Sequence, residues 1–514
     1  METEQGVPYP ATGLSRRTRL LVAGFLFVGA LEVRLAHFTD LPLDFRSNRQ
    51  YRCAVLARSF YVQATPSSPQ WQKDLSQANL KTLEILEPPI VEYLVAAAYR
   101  LAGREHLWIA RIFSVVFWLV GGVFLLGIAR RIVSAEGALC SVGFYLLWPF
   151  AVTASRSFQP DPLMMMLLLL ALLLMLRHHE RPTVRGVLGA ALAAGAAMFV
   201  KPVCAPVIFA TFAALAIRRH TLSGALIQRH SLLFAAVSVP LCIAWYLRAL
   251  LGAGGLHSQA HTFLMSNLLL ESFFWKDWFG MILEVVGPTF LIAALAGSVL
   301  FRPGTPRTAI IGLWVGYVLF GLVFPYHMHT HNYYQLQLLP IVALGVAPIG
   351  EHVLRDLVGV RPAWLGRLAL AALVLALTCF SRLMTPYMAE KRYVDEVADA
   401  EKIGQLVRHS TRAIFLSYHY GNALSYHGRI AGLYWPSTQD LRVYRMEGRP
   451  PEDVASRLAR LREPNGADYF IVTDLGELDR QSDLKEFLTG RYPKLAQTER
   501  YVVFDMRGSA GNQG

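Results

Sequence analysis

About eleven apolar runs, most of them near the length that crosses a bilayer, constrain this chain more than any other feature. They lie near 19–37, 108–129, 136–154, 160–176, 185–200, 203–217, 231–251, 281–301, 308–325, 335–350 and 364–382. A bilayer core takes roughly 20 apolar residues per helix. The fourth and sixth runs are short, so tilt or flanking residues must make up their length. The 514 residues are 54% hydrophobic and 17% charged, too apolar for an ordinary soluble protein of this size. The sequence therefore predicts a polytopic α-helical membrane protein.

The net charge of +13 is unevenly placed. The segment 385–514 balances 18 basic against 18 acidic residues, so the whole excess lies in the membrane part. Much of it falls in alternate loops: Arg16, Arg17 and Arg19; Arg130 and Arg131; Arg177, Arg181 and Arg185; Arg218, Arg219 and Arg229; Arg302 and Arg307; Arg355, Arg361 and Arg367. Basic loops mark the cytoplasmic side. This predicts a cytoplasmic N-terminus, a C-terminal domain outside the cytoplasmic (inner) membrane, and no nucleic-acid partner. The first run ends in Glu32-Val33-Arg34 without a small-residue cleavage site, which predicts a retained helix. Five scattered cysteines without a CxxC give neither a disulfide framework nor a zinc-finger spacing.

Two domains are expected, a membrane domain over 1–384 and a soluble one over 385–514. In the second, Ala413–Leu416, Tyr469–Val472 and Tyr501–Phe504 read as buried strands. Val394–Val407, Pro451–Leu461 and Asp483–Thr489 read as helices. This predicts a small α/β domain. It has no GxGxxG and no GxxxxGK[ST], so nucleotide binding is unsupported.

The chemistry-bearing residues gather in the loops assigned to the outer side. The first such loop, 38–107, opens with Asp40, Asp44, Arg46, Arg49, Arg52 and Arg58, interleaved with Tyr51, Phe60 and Tyr61. A carboxylate beside guanidiniums at the mouth of a membrane suits a lipid-linked phosphate: one accepts a proton, the others hold the phosphate by paired charge-assisted bonds. A solvated juxtamembrane helix with ordinary ion pairs is the plain alternative. Asn48–Tyr61 reads as an amphipathic interfacial helix with Tyr51, Val55 and Arg58 on one face. Thr65–Lys73 reads as a linker. Ile90–Leu101, following Glu87-Pro88-Pro89, reads as a second interfacial helix.

The second outer loop carries Arg156, Gln159 and Asp161. Asp161 opens an apolar helix, where a carboxylate suits the N-terminus, yet an ionisable group at that depth is also a functional candidate. Lys201, before Pro202, either snorkels or reaches a phosphate. His257 and His261 are one helical turn apart and would bind a divalent metal only with a third ligand. On an extended loop, His327, His329 and His331 would point one way. With Tyr326, Asn332, Tyr333 and Tyr334 around them, a sugar-binding role is favoured over a metal.

In the order and placement of these motifs the chain resembles the membrane glycosyltransferases of the protein O-mannosyltransferase and aminoarabinose-transferase type, the GT-C fold. The resemblance covers about 15–380. It rests on Asp44 with Arg49 behind it, Glu87-Pro88-Pro89, Phe158-Gln159-Pro160-Asp161, Lys201-Pro202 and His331-Asn332-Tyr333-Tyr334-Gln335. It implies transfer of a sugar from a polyprenyl-phosphate donor, with inversion, to a lipid, glycan or protein acceptor through its hydroxyl or phosphate, by a chain whose apolar runs give about eleven transmembrane helices. It also implies that Asp44 and Asp161 are the acidic residues of the reaction centre and that Arg49 and Lys201 lie near the carrier phosphate. Glu87 departs from the pattern, since relatives often have Lys there. Glu87 with His257 or His261 would be the place of any metal.

From these expectations follow a catalytic pair, Asp44 and Asp161, and substrate-binding residues Arg46, Arg49, Arg52, Glu87, Lys201, Tyr326, His331, Tyr333 and Tyr334. The catalytic residues are expected on the non-cytosolic rim of the helical bundle, lining one hollow. No cofactor is required by the sequence. A transporter or lipid flippase is the alternative, though such proteins usually show paired repeats with broken helices. A non-catalytic assembly or sensor protein is a third class.

Overall fold

A computed structural model of the chain describes residues 14–83, 85–251, 265–359, 362–386, 392–463 and 466–508. The chain divides into two compact units. One gathers the described residues of 1–38, 112–156 and 160–387; the other gathers those of 39–111, 157–159 and 388–514.

The first unit is helical, and each of the eleven apolar runs falls on helix. Seven helices among the described residues are long and apolar enough to cross a membrane, eight if one bent pair counts as a single span. The protein is thus a multi-pass membrane protein. Two runs are broken, for local reasons. Trp148 is extended ahead of Pro149, as residues before proline prefer, and this separates Ala135–Leu147 from Pro149–Ala154. Gly287, at φ 72°, takes a left-handed conformation open to glycine, and Pro288 starts the next helix. Ser272–Val286 and Pro288–Val299 meet there at 92°.

Close helix packing comes from small residues. Gly312 and Gly316 stand one turn apart on Thr305–Val323. A Cβ at Gly312 would lie 2.9 Å from the Thr211 Cα, and one at Gly316 2.5 Å from the Val207 Cα. The backbones of Thr305–Val323 and Ala205–Arg219 therefore touch, which is how apolar helices associate where no hydrophobic effect drives them together.

The second unit holds Ser47–Gln63, Gln70–Thr82 and Ile90–Ala102, together with a sheet. Ser47–Gln63 forms where a helix is expected, but Cys53 to Ala57 are consecutively buried, so more than one face is covered. The expected linker Thr65–Lys73 is shorter, because a helix begins at Gln70 behind Pro69, whose fixed φ suits that position. The sheet comprises β1 (Ala413–Leu416), β2 (Gly432–Tyr434), β3 (Tyr469–Val472), β4 (Lys494–Gln497) and β5 (Val502–Asp505). Its order is β2-β1-β3-β5-β4, with β1 parallel to both β2 and β3 and β5 antiparallel to β3 and β4. Successive side chains alternate between faces. Ile414, Leu416, Phe470 and Val472 pack on one core, and Ala413, Phe415, Ile471 and Val503 on the other. Burial on both faces explains why β1 and β3 are unbroken apolar runs.

Candidate active site

In the second unit the loop bearing Asp44 is pinned by Gln50, which is fully buried. The Gln50 amide donates to the carbonyls of Pro42 and Phe45 at 3.2 and 2.6 Å, and its oxygen accepts from the Phe158 N–H at 2.9 Å. Gln159 donates to the Phe45 carbonyl at 3.4 Å. Arg46, at φ 48°, turns the chain into the helix Ser47–Gln63. The loop is thus fixed on either side of Asp44. An Asp44 oxygen lies 3.6 Å from the Arg111 guanidinium, and both side chains are almost wholly buried. Arg111 also donates to the Leu41 carbonyl at 3.0 Å. Sequence reasoning passed over Arg111. Its signal was legible: a lone arginine at the start of the apolar helix Leu107–Ile132, at a depth where charge is expensive.

Arg49 and Arg52, three residues apart on one helix, share a face. Their guanidiniums reach the two oxygens of Glu87 at 3.0 and 3.2 Å. The loop residue before Pro88-Pro89 is therefore joined to the arginines that follow Asp44. Glu92, on Ile90–Ala102, is also buried, and burial pushes its carboxyl up from the usual range. Arg58 pairs with Glu105 at 2.8 Å and lies over the Tyr426 ring. The Tyr426 hydroxyl donates to Glu105.

In the first unit Asp161 opens the helix Asp161–Glu180 behind Pro160, and no side-chain capping bond forms there. Its oxygen instead accepts from the Lys201 ammonium at 2.7 Å, both side chains being 2% exposed. Lys201 is extended where Val184–Val200 ends. The ammonium stands 4.7 Å from the Tyr334 ring centre and 5.0 Å from that of Tyr333, within reach of a cation–π attraction.

The expected extended arrangement of the three histidines is not what forms. Pro325–Thr330 is a short helix, started by Pro325, so residues two apart diverge. The His327 and His331 rings, four apart, approach to 5.8 Å, and the His327 ring lies tilted against Tyr334 at 4.6 Å. His331 lies 5.3 Å from Tyr333 and 6.3 Å from Tyr326. His329 lies 5.9 Å from the Tyr326 ring and 3.6 Å from Asp277; burial holds its imidazole below the usual range while Asp277 opposes this. Asn332 donates to Glu284 at 2.6 Å. Gln335, fully buried, donates to the Met328 carbonyl at 2.9 Å. Tyr326, His331, Tyr333 and Tyr334 thus form one aromatic cluster, with Lys201 against its two later tyrosines.

His257 and His261 lie outside the described residues. Among the described residues, no three His, Cys, Asp or Glu side chains are placed to hold a metal.

Residues 86–246 match the family model described as dolichyl-phosphate-mannose-protein mannosyltransferase. No curated protein matches the chain by sequence. Among solved structures, ArnT from Cupriavidus metallidurans bound to undecaprenyl phosphate aligns with a TM-score of 0.54 and 16% identity, over 94% of this chain and 97% of that one. The apo form of the Archaeoglobus fulgidus oligosaccharyltransferase aligns with a TM-score of 0.55 and 10% identity, over 89% of this chain and 70% of that one. The archaeal enzyme AglB in complex with an inhibitory peptide and a dolichol-phosphate aligns at 0.53 and 12%, over 93% and 73%. The chain shares the GT-C fold of these proteins.

Proposed function

We propose that this protein is a membrane glycosyltransferase that moves a sugar from a polyprenyl-phosphate donor to a hydroxyl or phosphate acceptor, with inversion, on the outer side of the cytoplasmic membrane. The N-terminus is then cytoplasmic and the soluble α/β part periplasmic or extracellular. The observation that carries the reading is the buried Asp44 carboxylate held beside Arg111 on a loop locked by Gln50. It is supported by the likeness in fold to proteins solved with undecaprenyl phosphate and dolichol-phosphate.

The reaction is one displacement at the anomeric carbon. Asp44 takes the acceptor proton as general base, an effect worth typically 10²–10⁴-fold. The acceptor oxygen forms its bond to the sugar as the bond to the donor phosphate breaks. Arg46, Arg49 and Arg52 stabilise the charge growing on that phosphate, and preorganised charge in a sheltered site is usually the largest catalytic contribution. Glu87 holds Arg49 and Arg52 in a fixed fork. Asp161 orients Lys201 through their ion pair. Tyr326, His331, Tyr333 and Tyr334 pack on the sugar or the prenyl chain. Both Glu87 oxygens face guanidiniums, an environment suited to holding arginines rather than a cation, and no step here passes through a metal.

The transporter reading gains one sharply bent helix pair, at Gly287, and no second membrane-length pair bent so far occurs among the described residues. Purified protein in liposomes separates the two. Labelled sugar passing from polyprenyl phosphate to a membrane-extract acceptor supports the transferase. Movement of the intact lipid across the bilayer without transfer supports the flippase.

A further inference from the structure

The α/β part of the second unit carries a cavity of about 380 Å³ that no step above uses. Its position follows from the sheet. Strand β1 lies between β2 and β3 and is parallel to both, so the chain leaves β1 to one side and returns on the other. In open α/β sheets, the crevice beyond the carboxyl ends of the strands at such a reversal is where ligands bind. The cavity occupies that crevice: Ser417, Tyr418 and His419 follow β1, and Thr473 follows β3. Thr473 donates to the Ser417 hydroxyl at 2.7 Å and ties the two loops together.

The loop after β1 is also strained. His419 and Tyr420 take left-handed conformations at φ 56° and 57°, followed by Gly421 at 73°. Such conformations in residues other than glycine cost energy and persist only where surroundings enforce them. Here Ser47 lies 3.0 Å from the His419 Nδ1.

The lining selects a class of ligand. Carboxylates outnumber basic side chains four to one: Asp395, Glu396, Asp399 and Glu499 against Arg500. Arg500 is itself paired with Asp399 at 2.5 Å. Phosphates and other anions are therefore disfavoured. Tyr51, Tyr418 and Tyr501 supply ring faces, and hydroxyls and imidazoles supply hydrogen-bonding edges. A few convergent polar groups in a mostly apolar hollow is the ordinary make-up of a small-molecule site.

Leu41 and Leu43 complete the wall. Leu43 immediately precedes Asp44, and the Leu41 carbonyl accepts from Arg111, the partner of Asp44. We propose that this cavity is the acceptor site and that the part of the acceptor it recognises is a neutral or amine-bearing saccharide. The acceptor role rests on the transferase reading above; the saccharide site does not.

The test uses the full chain in lipid nanodiscs, with saturation-transfer NMR of three disaccharides: cellobiose, chitobiose with free amines, and digalacturonate. Cellobiose and chitobiose should bind both the native protein and Asp44→Asn, and digalacturonate should not. His419→Ala and Gly476→Phe should each weaken binding about five-fold or more, the loss of roughly one hydrogen bond or its equivalent. Gly476 lines the cavity, and a Cβ there makes only ordinary contacts, at 3.7 Å or more, so the backbone tolerates a side chain; His419→Ala serves if that variant does not fold. Binding of digalacturonate as strong as that of the others would overturn the proposal, as would no binding by any disaccharide or binding indifferent to both variants. In the transfer assay, the disaccharides should compete with membrane-extract acceptor, and less so in the variants. Variant-sensitive binding without competition would overturn the acceptor role. Variant-sensitive binding by a protein that transfers no sugar would sink the transferase reading and the acceptor role, and would support the saccharide site alone.

Discussion

Lys201 donates to Asp161 across 2.7 Å, and the two residues lie 40 positions apart in sequence. One opens a helix and the other follows the end of the next, so a helical hairpin brings them together. With both side chains buried, each charge depends on the other. Removing one partner of such a pair typically costs about 3–5 kcal/mol, whereas replacing both by apolar groups can be neutral. Lys201→Met and Asp161→Asn should each lower the thermal unfolding temperature in detergent, and Asp161→Leu combined with Lys201→Met should recover much of it. Transfer should stay lost in all three. A stable double variant with native turnover would reduce the pair to a structural role.

The Glu87 clamp yields a second expectation. Without its carboxylate, Arg49 and Arg52 lose the group that bridges and orients them. Glu87→Gln should raise the KM for the polyprenyl-phosphate donor about ten-fold, equivalent to roughly 1.4 kcal/mol. Glu87→Asp should recover part of this. Initial rates against donor concentration decide it, and an unchanged KM in Glu87→Gln would separate the arginines from donor binding.

His427 gives the second unit a pH dependence. Its ring lies against Tyr51 and Tyr426, with Arg58 and Glu105 nearby. Burial first, then the Arg58 charge, holds its imidazole down at about 4. An unfolded histidine titrates near 6.5. Between those values the unfolded chain binds a proton that the folded chain does not, so stability falls as pH drops from 6.5 towards 4. The full effect is on the order of 3 kcal/mol. His427→Phe keeps a ring and removes the titration. Its unfolding temperature should fall less than that of the native protein between pH 7 and pH 4.5. Parallel profiles would show that His427 is not the group responsible.

Much of the fold was legible because length and apolarity speak locally. The eleven apolar runs needed no partner to be recognised, and β1 and β3 announced themselves as apolar runs buried on both faces. Strands β2 and β4 did not: Gly432–Tyr434 and Lys494–Gln497 are short edge strands, half-buried or exposed, with no strong pattern. The histidine loop was misread because alternation at period two suggested an extended chain, while Pro325 starts a helix turn. Arg111 went unremarked because a lone charge in an apolar helix has no motif around it. Its partner lies 67 positions away, and only packing reveals that. The association of 39–111 with the tail was likewise illegible, since it rests on contacts distant in sequence, such as Asn422 donating to the Asn48 carbonyl at 3.1 Å.

The most direct measurement is single-turnover transfer of labelled sugar from polyprenyl phosphate in proteoliposomes, comparing the native protein with Asp44→Asn. The variant keeps the shape of the side chain and loses the base. We expect transfer by the native protein, and in Asp44→Asn a rate lower by about 10²–10⁴-fold with insertion and unfolding temperature retained. Near-native transfer by Asp44→Asn would contradict the assignment of the base, and no transfer by the native protein with any polyprenyl-phosphate sugar would contradict the proposed function itself.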